Sequence, residues 1–582
     1  MRQLTFAANK ISSVPRGRHR PSEADSATQR ETHQLRTAVD IGVQRFVPLV
    51  DLLVLQILVA VGIVVALYMD KPGWHGGAAG FAVALLLVTP VRGSTLPRAL
   101  ALRWGFMRDR RRRTDRQLPT DAFDADVSDG VQIGFRWDGT TLLSLIHIDA
   151  NPQAMTVMEP GMTVSGEVVP VQTLVDCLCQ FDITLDSIDI ISQGSRSSGH
   201  TDVAAVYDAV LGPLPAIATR NVWIAVRFDP SDCAEAVRRR GGGREGLIRT
   251  ATTATRRVAN RLTESGLRPR ILTASGIAAA TNQLSDGVNL ATVEETWEMC
   301  REGQFRLCSF TVEPDLLTTA GLGLLWTVPS YSTTVCISLR SDTVHDLIKV
   351  RGLARFDSEV GVPAKLPGLR HLKGLQFSAL ACSLPIPPPS RPVGHWAYGS
   401  GDSELRELAV PASGCGQVIG ADEQGRAVAL PLFGPQIAHV EISGTLHLAQ
   451  QAVLRSLALG ARVLVHSRRP ALWRDMVEQV GRHDLLWVTD FNRAAMQAGS
   501  ERNYSVEMFD GVAERPVRAG VTSIVVAPPN TPVSSDADVA LELVSFDNDT
   551  VKVSTRSGSA VVTMVATDDE MRYLKASANS TD

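Results

Sequence analysis

Two stretches near the N-terminus depart from the mixed pattern of the rest of the chain. Leu52 to Met69 has Gln56 as its one strongly polar member, and Gly76 to Val91 (GGAAGFAVALLLVTPV) is apolar on every face. At 1.5 Å per residue they give helices of about 27 and 24 Å, close to the ~30 Å hydrocarbon core of a bilayer. A helix in a soluble core is ordinarily apolar along one stripe only. The pattern therefore predicts a two-helix transmembrane hairpin over 47–91, turning at Asp70-Lys71-Pro72-Gly73-Trp74-His75, with Trp74 and Arg92 as interfacial anchors. The Gly76-x-x-x-Gly80 spacing in the second arm suits close approach of another helix backbone.

Beyond the hairpin the hydrophobic period changes repeatedly. Val131 to Arg136 and Thr141 to Ile148 have strand composition and flank Trp137-Asp138-Gly139-Thr140, whose Asp-Gly is a hairpin signal. Helical and strand patterns then alternate through Val171 to Gln180, Leu185 to Ser192, Asn221 to Phe228, Leu247 to Leu262 and Arg270 to Ala274. The clearest helix is Leu247 to Leu262, apolar at 247, 251, 254, 258 and 262, with Gly266 and Pro269 past its end. Arg306 to Val312, Thr333 to Leu339 and Leu375 to Leu384 read as strands, so 128–384 is predicted to be a mixed α/β domain.

Five prolines between Pro385 and Pro392 favour an extended spacer, and 385–404 is read as a linker. A second α/β domain over 405–582 follows. Its signals are strand His439 to Ile442, helix Thr445 to Leu459, Gly460 as a cap, and strand Arg462 to His466. A helix from Pro470 to Val480, Gly481, and strand Leu485 to Thr489 complete a βαβαβ unit, whose right-handed crossovers predict parallel strands. Val539 to Val565 alternates like a small antiparallel sheet.

Charge gives the hairpin a direction. Eight Lys/Arg precede it and nine follow within 92–116, while its turn holds Lys71 alone, so both termini are expected in the cytoplasm. Residues 1–46, rich in Arg, Ser, Thr and Gln, read as a flexible basic tail, and 92–127 as a basic juxtamembrane linker. In that linker Arg110, Arg111, Arg112 and Arg113 are candidates for anionic lipid headgroups. With 582 residues and a net charge of -3, nothing else in the chain is basic enough to favour nucleic acid. The eight cysteines form no C-x2-C pair, which points to reduced, mostly buried thiols.

No stretch carries a catalytic constellation. Gly241 and Gly246 have the glycine spacing of a phosphate-binding loop, but Leu247-Ile248 stands where Lys-Ser/Thr is required. Ser443-Gly444-Thr445 opens a predicted helix and is explained by local capping. Asp124-x-Asp126, the one string resembling a divalent-metal motif, falls in a polar segment and reads as a solvated loop. No histidines stand at metal-binding spacing, and His466 ends a strand. Catalytic, cofactor and metal sites are all expected to be absent.

The basic-flanked hairpin is joined by three further landmarks: Val206-Tyr207-Asp208-Ala209-Val210-Leu211-Gly212-Pro213 leading into Val222-Trp223-Ile224-Ala225-Val226-Arg227, then Gly416-Gln417-Val418-Ile419-Gly420, then Ala461 to Trp473 (ARVLVHSRRPALW). Together they resemble the EccE family, a membrane component of the type VII (ESX) secretion machinery of mycobacteria and related actinobacteria. The resemblance implies a non-catalytic inner-membrane subunit assembled with EccB, the ATPase EccC, EccD and the mycosin protease. It also implies a cytoplasmic domain similar in fold to glycosyltransferases. A membrane-anchored glycosyltransferase-like enzyme acting on a nucleotide sugar is the alternative.

Overall fold

The computed structural model describes residues 35–37, 49–88, 96–111, 120–127 and, with breaks at 128–129, 152–153, 160–161, 200, 213, 359–365, 390, 401–403 and 491–503, residues 130–574. Most of the N-terminal tail, and Arg112 and Arg113, lie outside them. The chain begins with strand β1 (Arg36–Thr37), followed by helices α1 (Leu49–Tyr68), α2 (Gly73–Val88) and α3 (Leu96–Arg111).

Helices α1 and α2 form an antiparallel pair, with Asp70 left-handed at φ 55° in the turn. Among the described residues no helix is long and apolar enough to cross a membrane. The described side chains of α1 start at Leu52, and α2 has 16 residues. At 1.5 Å per residue the stretch Leu52 to Tyr68 within α1 comes to about 26 Å and α2 to about 24 Å, short of a ~30 Å apolar slab. The expectation of two full spans is corrected to that extent. Within the expected linker 92–127 the chain forms α3 and strand β2 (Phe123–Val127). The arginines that suggested a linker share α3 with Leu100, Leu102, Phe106 and Met107, which supply apolar side chains to a helix.

The first sheet contains β2, β3 (Val131–Trp137), β4 (Leu142–Ile148), β7 (Ser187–Ser195), β8 (Thr219–Phe228), β9 (Phe305–Val312), β10 (Ser332–Asp342) and β11 (Leu347–Asp357), in the order β9-β11-β10-β7-β8-β4-β3-β2. Every one of these pairings is antiparallel. The numbering passes over β5 (Thr156–Glu159) and β6 (Met162–Ser165), a hairpin that leaves for the second sheet. The central strands are buried on both faces. One core packs under α5 (Gly243–Glu264), and the other lies under α6 (Ala274–Leu284) and α7 (Gln376–Cys382). The likeness to a glycosyltransferase fold is not supported. Doubly wound nucleotide-binding sheets are parallel, with helices crossing between strands, and this sheet is antiparallel.

Helix α7 corrects the expected strand over Leu375 to Leu384. Buried on most sides, the segment has no informative period. One side chain meets the sheet edge backbone: the Gln376 Oε1 accepts from the Ser309 N–H at 2.8 Å, and its Nε2 donates to the Ser309 carbonyl at 3.1 Å. A glutamine thus stands in for a neighbouring strand. Val171 to Gln180 likewise shortens to a helix over Val171–Val175.

The chain returns to the first sheet at β12 (Ala397–Gly399), which pairs with β11. The second sheet then gathers β13 (Gln417–Ala421), β14 (Ala427–Leu430), β15 (His439–Ser443), β16 (Val463–Ser467), β17 (Leu486–Asp490), β18 (Val506–Asp510), β19 (Thr522–Ala527), β20 (Val539–Ser545), β21 (Thr550–Thr555) and β22 (Gly558–Met564). Its order is β17-β16-β18-β19-β15-β20-β21-β22-β13-β14-β5-β6, parallel over the first six strands and antiparallel after. The βαβαβ unit is present with parallel strands, but β18 and β19 lie between β15 and β16. Its helix α8 (Leu446–Ala458) starts where Thr445 accepts from the Leu448 N–H, and Gly481 closes the next helix at φ 64°.

The two sheets share chain. Helix α4 (Asp202–Leu211), between β7 and β8, packs on α8 and joins the second core through Val203, Tyr207 and Leu211. The Tyr207 hydroxyl accepts from the Val418 N–H at 2.9 Å, which ties two of the sequence landmarks to each other.

Candidate membrane-proximal site

The hairpin is held by its glycines. A Cβ on Gly76 would fall 1.9 Å from the Gly62 carbonyl oxygen, and one on Gly80 would fall 2.4 Å from that of Leu58. Only hydrogen fits at such a crossing, so the Gly76-x-x-x-Gly80 spacing is spent on the hairpin's own packing. The outward faces are left bare: Ile57, Val64, Leu67 and Leu86 are all exposed, as are Phe81, Val83 and Leu85. Contiguous apolar surface of this kind marks a membrane or protein interface.

Both chain ends of the hairpin are fastened to the two-sheet body, and each makes a contact with the segment 391–399. Before it, β1 pairs antiparallel with β12, Arg36 opposite Tyr398, and Leu35 is buried. After it, Asp109 of α3 accepts from the Arg391 guanidinium at 2.8 Å. Phe106 meets Trp297 edge-on at 5.5 Å, and Arg103 lies 5.8 Å over the same ring. The segment 391–399 begins inside the end of the proline run, at Arg391 before Pro392.

That run is itself clamped from within. The Arg136 guanidinium donates to the Pro385 carbonyl at 2.5 Å, and Arg227 donates to that of Ile386 at 2.9 Å while its Nε bonds Asp189 at 3.0 Å. Burial pulls the Arg136 guanidinium below its ordinary value, against the nearby Asp121. A cation held dry to bind backbone carbonyls fixes the position of the segment.

A polar cleft of about 510 Å³ opens beside it, lined by Asp186, Asp232, Arg340, Lys349, Trp396 and Tyr398 among others. Its charges are largely matched: Arg340 bonds Asp186 at 3.0 Å and Lys349 bonds Asp342 at 3.1 Å. Burial raises the Asp186 carboxyl, and Arg340 opposes that rise. Arg351 and Arg340 lie 4.8 and 5.6 Å from the Trp396 ring.

The sequence candidates fall elsewhere. Asp124 and Asp126 are on β2, not in a loop. Asp124 accepts from the Ala274 N–H at 2.7 Å, at the start of α6, and Asp126 accepts from Gln132 at 3.1 Å. Among the described residues no group of three or more His, Cys, Asp or Glu is placed to hold a metal. Gly241 and Gly242 turn the chain into α5 at φ 110° and 66°, and Gly246 faces the Val237 carbonyl, where no Cβ fits. His466 stacks on Phe509. Seven of the eight cysteines are buried, Cys179 being exposed. Of the arginine cluster, Arg110 is exposed at the end of α3. The collar built by Leu35, Asp109, Trp297, Arg391 and Tyr398 carried no sequence signal, since each is a single residue of ordinary type.

The class of architecture is an apolar, basic-flanked helical hairpin fastened to a two-sheet α/β body. Residues 216–312, from β8 to the end of β9, match the family model described as "Putative type VII ESX secretion system translocon, EccE". The chain is 24% identical over 400 residues to the ESX-1 secretion system protein EccE1 of Mycolicibacterium smegmatis, covering 67% of this chain and 76% of that protein. It is 27% identical over 342 residues to EccE5 of the ESX-5 system of Mycobacterium marinum, covering 54% and 80%. To EccE2 of the ESX-2 system of Mycobacterium tuberculosis it is 24% identical over 452 residues, covering 75% and 81%. The chain is thus similar to EccE proteins of three ESX systems, and the family model matches it over the stretch from just before β8 to the end of β9.

Proposed function

We propose that this protein is a non-catalytic membrane subunit of a type VII (ESX) secretion complex, in which the hairpin anchors a two-sheet cytoplasmic body beside EccB, the ATPase EccC, EccD and the mycosin. The observation that carries the anchoring is the bare apolar shell around a hairpin whose inner face is sealed backbone to backbone. Its short arms are accommodated by local thinning of the bilayer, which costs fractions of a kcal/mol per ångström. Both flanks then lie on the cytoplasmic side, where Arg110, Arg111, Arg112 and Arg113 meet anionic headgroups. The family match supports the secretion role, and the antiparallel first sheet speaks against nucleotide-sugar transfer.

Two experiments test this. A cysteine replacing Gly73 should react with an impermeant thiol reagent in wall-permeabilised cells, whereas one replacing Ser577 should not. Reaction at Ser577→Cys alone would reverse the topology. Deleting 47–91 should abolish both co-purification with the other membrane subunits and ESX substrate export. Full export by the deleted chain would refute the anchoring role.

A further inference from the structure

Helix α3 has two faces, and the protein itself covers one. Arg103, Phe106 and Asp109 turn toward the soluble body through Trp297 and Arg391. On the other side Leu100, Trp104 and Met107, spaced by four and three, are 64%, 66% and 52% exposed. Arg108 lies 5.8 Å from the Trp104 ring, and Arg110 is exposed beyond it.

We propose that α3 is an interfacial helix: the Leu100-Trp104-Met107 stripe sinks into the headgroup boundary of an anionic membrane, Arg108 and Arg110 hold headgroup phosphates, and the inner face carries the soluble body. The inference rests on the hairpin being the membrane anchor. Position argues for lipid as the occupant, because α3 packs against both α1 and α2 and begins within eight residues of the end of α2. Charge argues the same way. The helix holds five arginines and one acid in a chain of net charge -3, and a tryptophan beside basic residues is the usual composition of helices lying at a bilayer surface. The soluble body is thereby set at a fixed height and orientation on the membrane, with Asp109 and Phe106 as the hinge of the coupling.

The test uses the full chain with Cys179→Ser, which removes the exposed thiol. Single cysteines Leu100→Cys, Trp104→Cys, Val64→Cys and Val344→Cys carry an environment-sensitive fluorophore in vesicles of mixed phosphatidylcholine and phosphatidylglycerol. Labels at 100 and 104 should be quenched by shallow lipid nitroxides and show about threefold less iodide quenching than the label at 344. The label at 64 should respond to deep nitroxides. Iodide access at 100 and 104 equal to that at 344, with 64 still deep, would overturn the interfacial helix and leave the anchor standing. Shielding of 100 and 104 from both quenchers, as in a contact with another protein, would overturn it equally. A water-exposed label at 64 would instead overturn the anchor. Arg108→Gln with Arg110→Gln should move the 104 label toward water in anionic vesicles; no change would remove the headgroup assignment.

Discussion

Asp109 and Arg391, separated by 282 residues, meet at 2.8 Å and join the helix after the hairpin to the end of the proline run. The pair is part-buried, with side chains 34% and 22% exposed. A coupling of about 0.5–1 kcal/mol is therefore expected, weakened by salt. It should appear in a double-mutant cycle of Asp109→Asn and Arg391→Gln, read by thermal unfolding in detergent. Strict additivity of the two changes would show that the contact does not hold α3.

The hairpin crossing makes a sharp contrast between neighbouring glycines. Gly76→Ala places a methyl on the Gly62 carbonyl, so it should force α1 and α2 apart and lower the unfolding midpoint by several degrees. At Gly73 the nearest atom to an added Cβ is the Ile63 Cγ2 at 3.5 Å, an ordinary contact. Gly73→Ala should be neutral. Equal effects of the two in a thermal-shift series would contradict the crossing.

Arg455 and Glu570 form a fully buried pair at 2.7 Å, and Arg455 also donates to the carbonyls of Val418, Ile419 and Val565. This pins the C-terminal helix over Asp568–Tyr573 to the βαβαβ unit. Removing one partner leaves a buried charge, so Glu570→Gln should cost about 3–5 kcal/mol, and Arg455→Met with Glu570→Met together should cost less. Chemical denaturation would check both; a loss below about 1 kcal/mol for Glu570→Gln would refute the burial.

Asp138 sits in the β3–β4 turn. Burial acts to raise its carboxyl, but bonds from the Thr140 and Thr141 N–H and hydroxyl groups outweigh it and hold the carboxyl below its ordinary value. A depressed native value means that the unfolded chain takes up the proton first. Its stabilisation is complete above the ordinary carboxylate range, about pH 4, and is lost as pH falls through the lower native value. Asp138→Ala should therefore flatten the acid side of a midpoint-against-pH curve while lowering the plateau at neutral pH. An unchanged acid slope would show that the turn does not bind the carboxylate.

Elements with a strong local period were legible in the sequence. The Asp138-Gly139 hairpin, the helix through Leu262, the Thr445 cap and the Gly481 stop all stand where pattern and turn chemistry put them, because their physics is contained within a few residues. The greasy hairpin was legible too, although its helices start three residues earlier than composition suggested, at Leu49 and Gly73, so that the second arm takes in half of the expected turn.

Tertiary structure decided the rest. Leu375 to Leu384 carried no period because it is buried nearly all round, and it docks as a helix through distant partners, Ser309 beneath Gln376 and Glu295 at the Phe377 N–H. The placing of β18 and β19 between β15 and β16, and the loan of β5, β6 and α4 to the second sheet, depend on which buried faces match across distant chain. The glycine spacing announced a close helix contact, but its partner, Gly62, was set by the antiparallel crossing of the arms. Local sequence fixes which face of an element is apolar; which other face covers it is chosen by non-local burial, and that choice brought Leu35, Asp109, Trp297, Arg391 and Tyr398 into one collar around the hairpin's base.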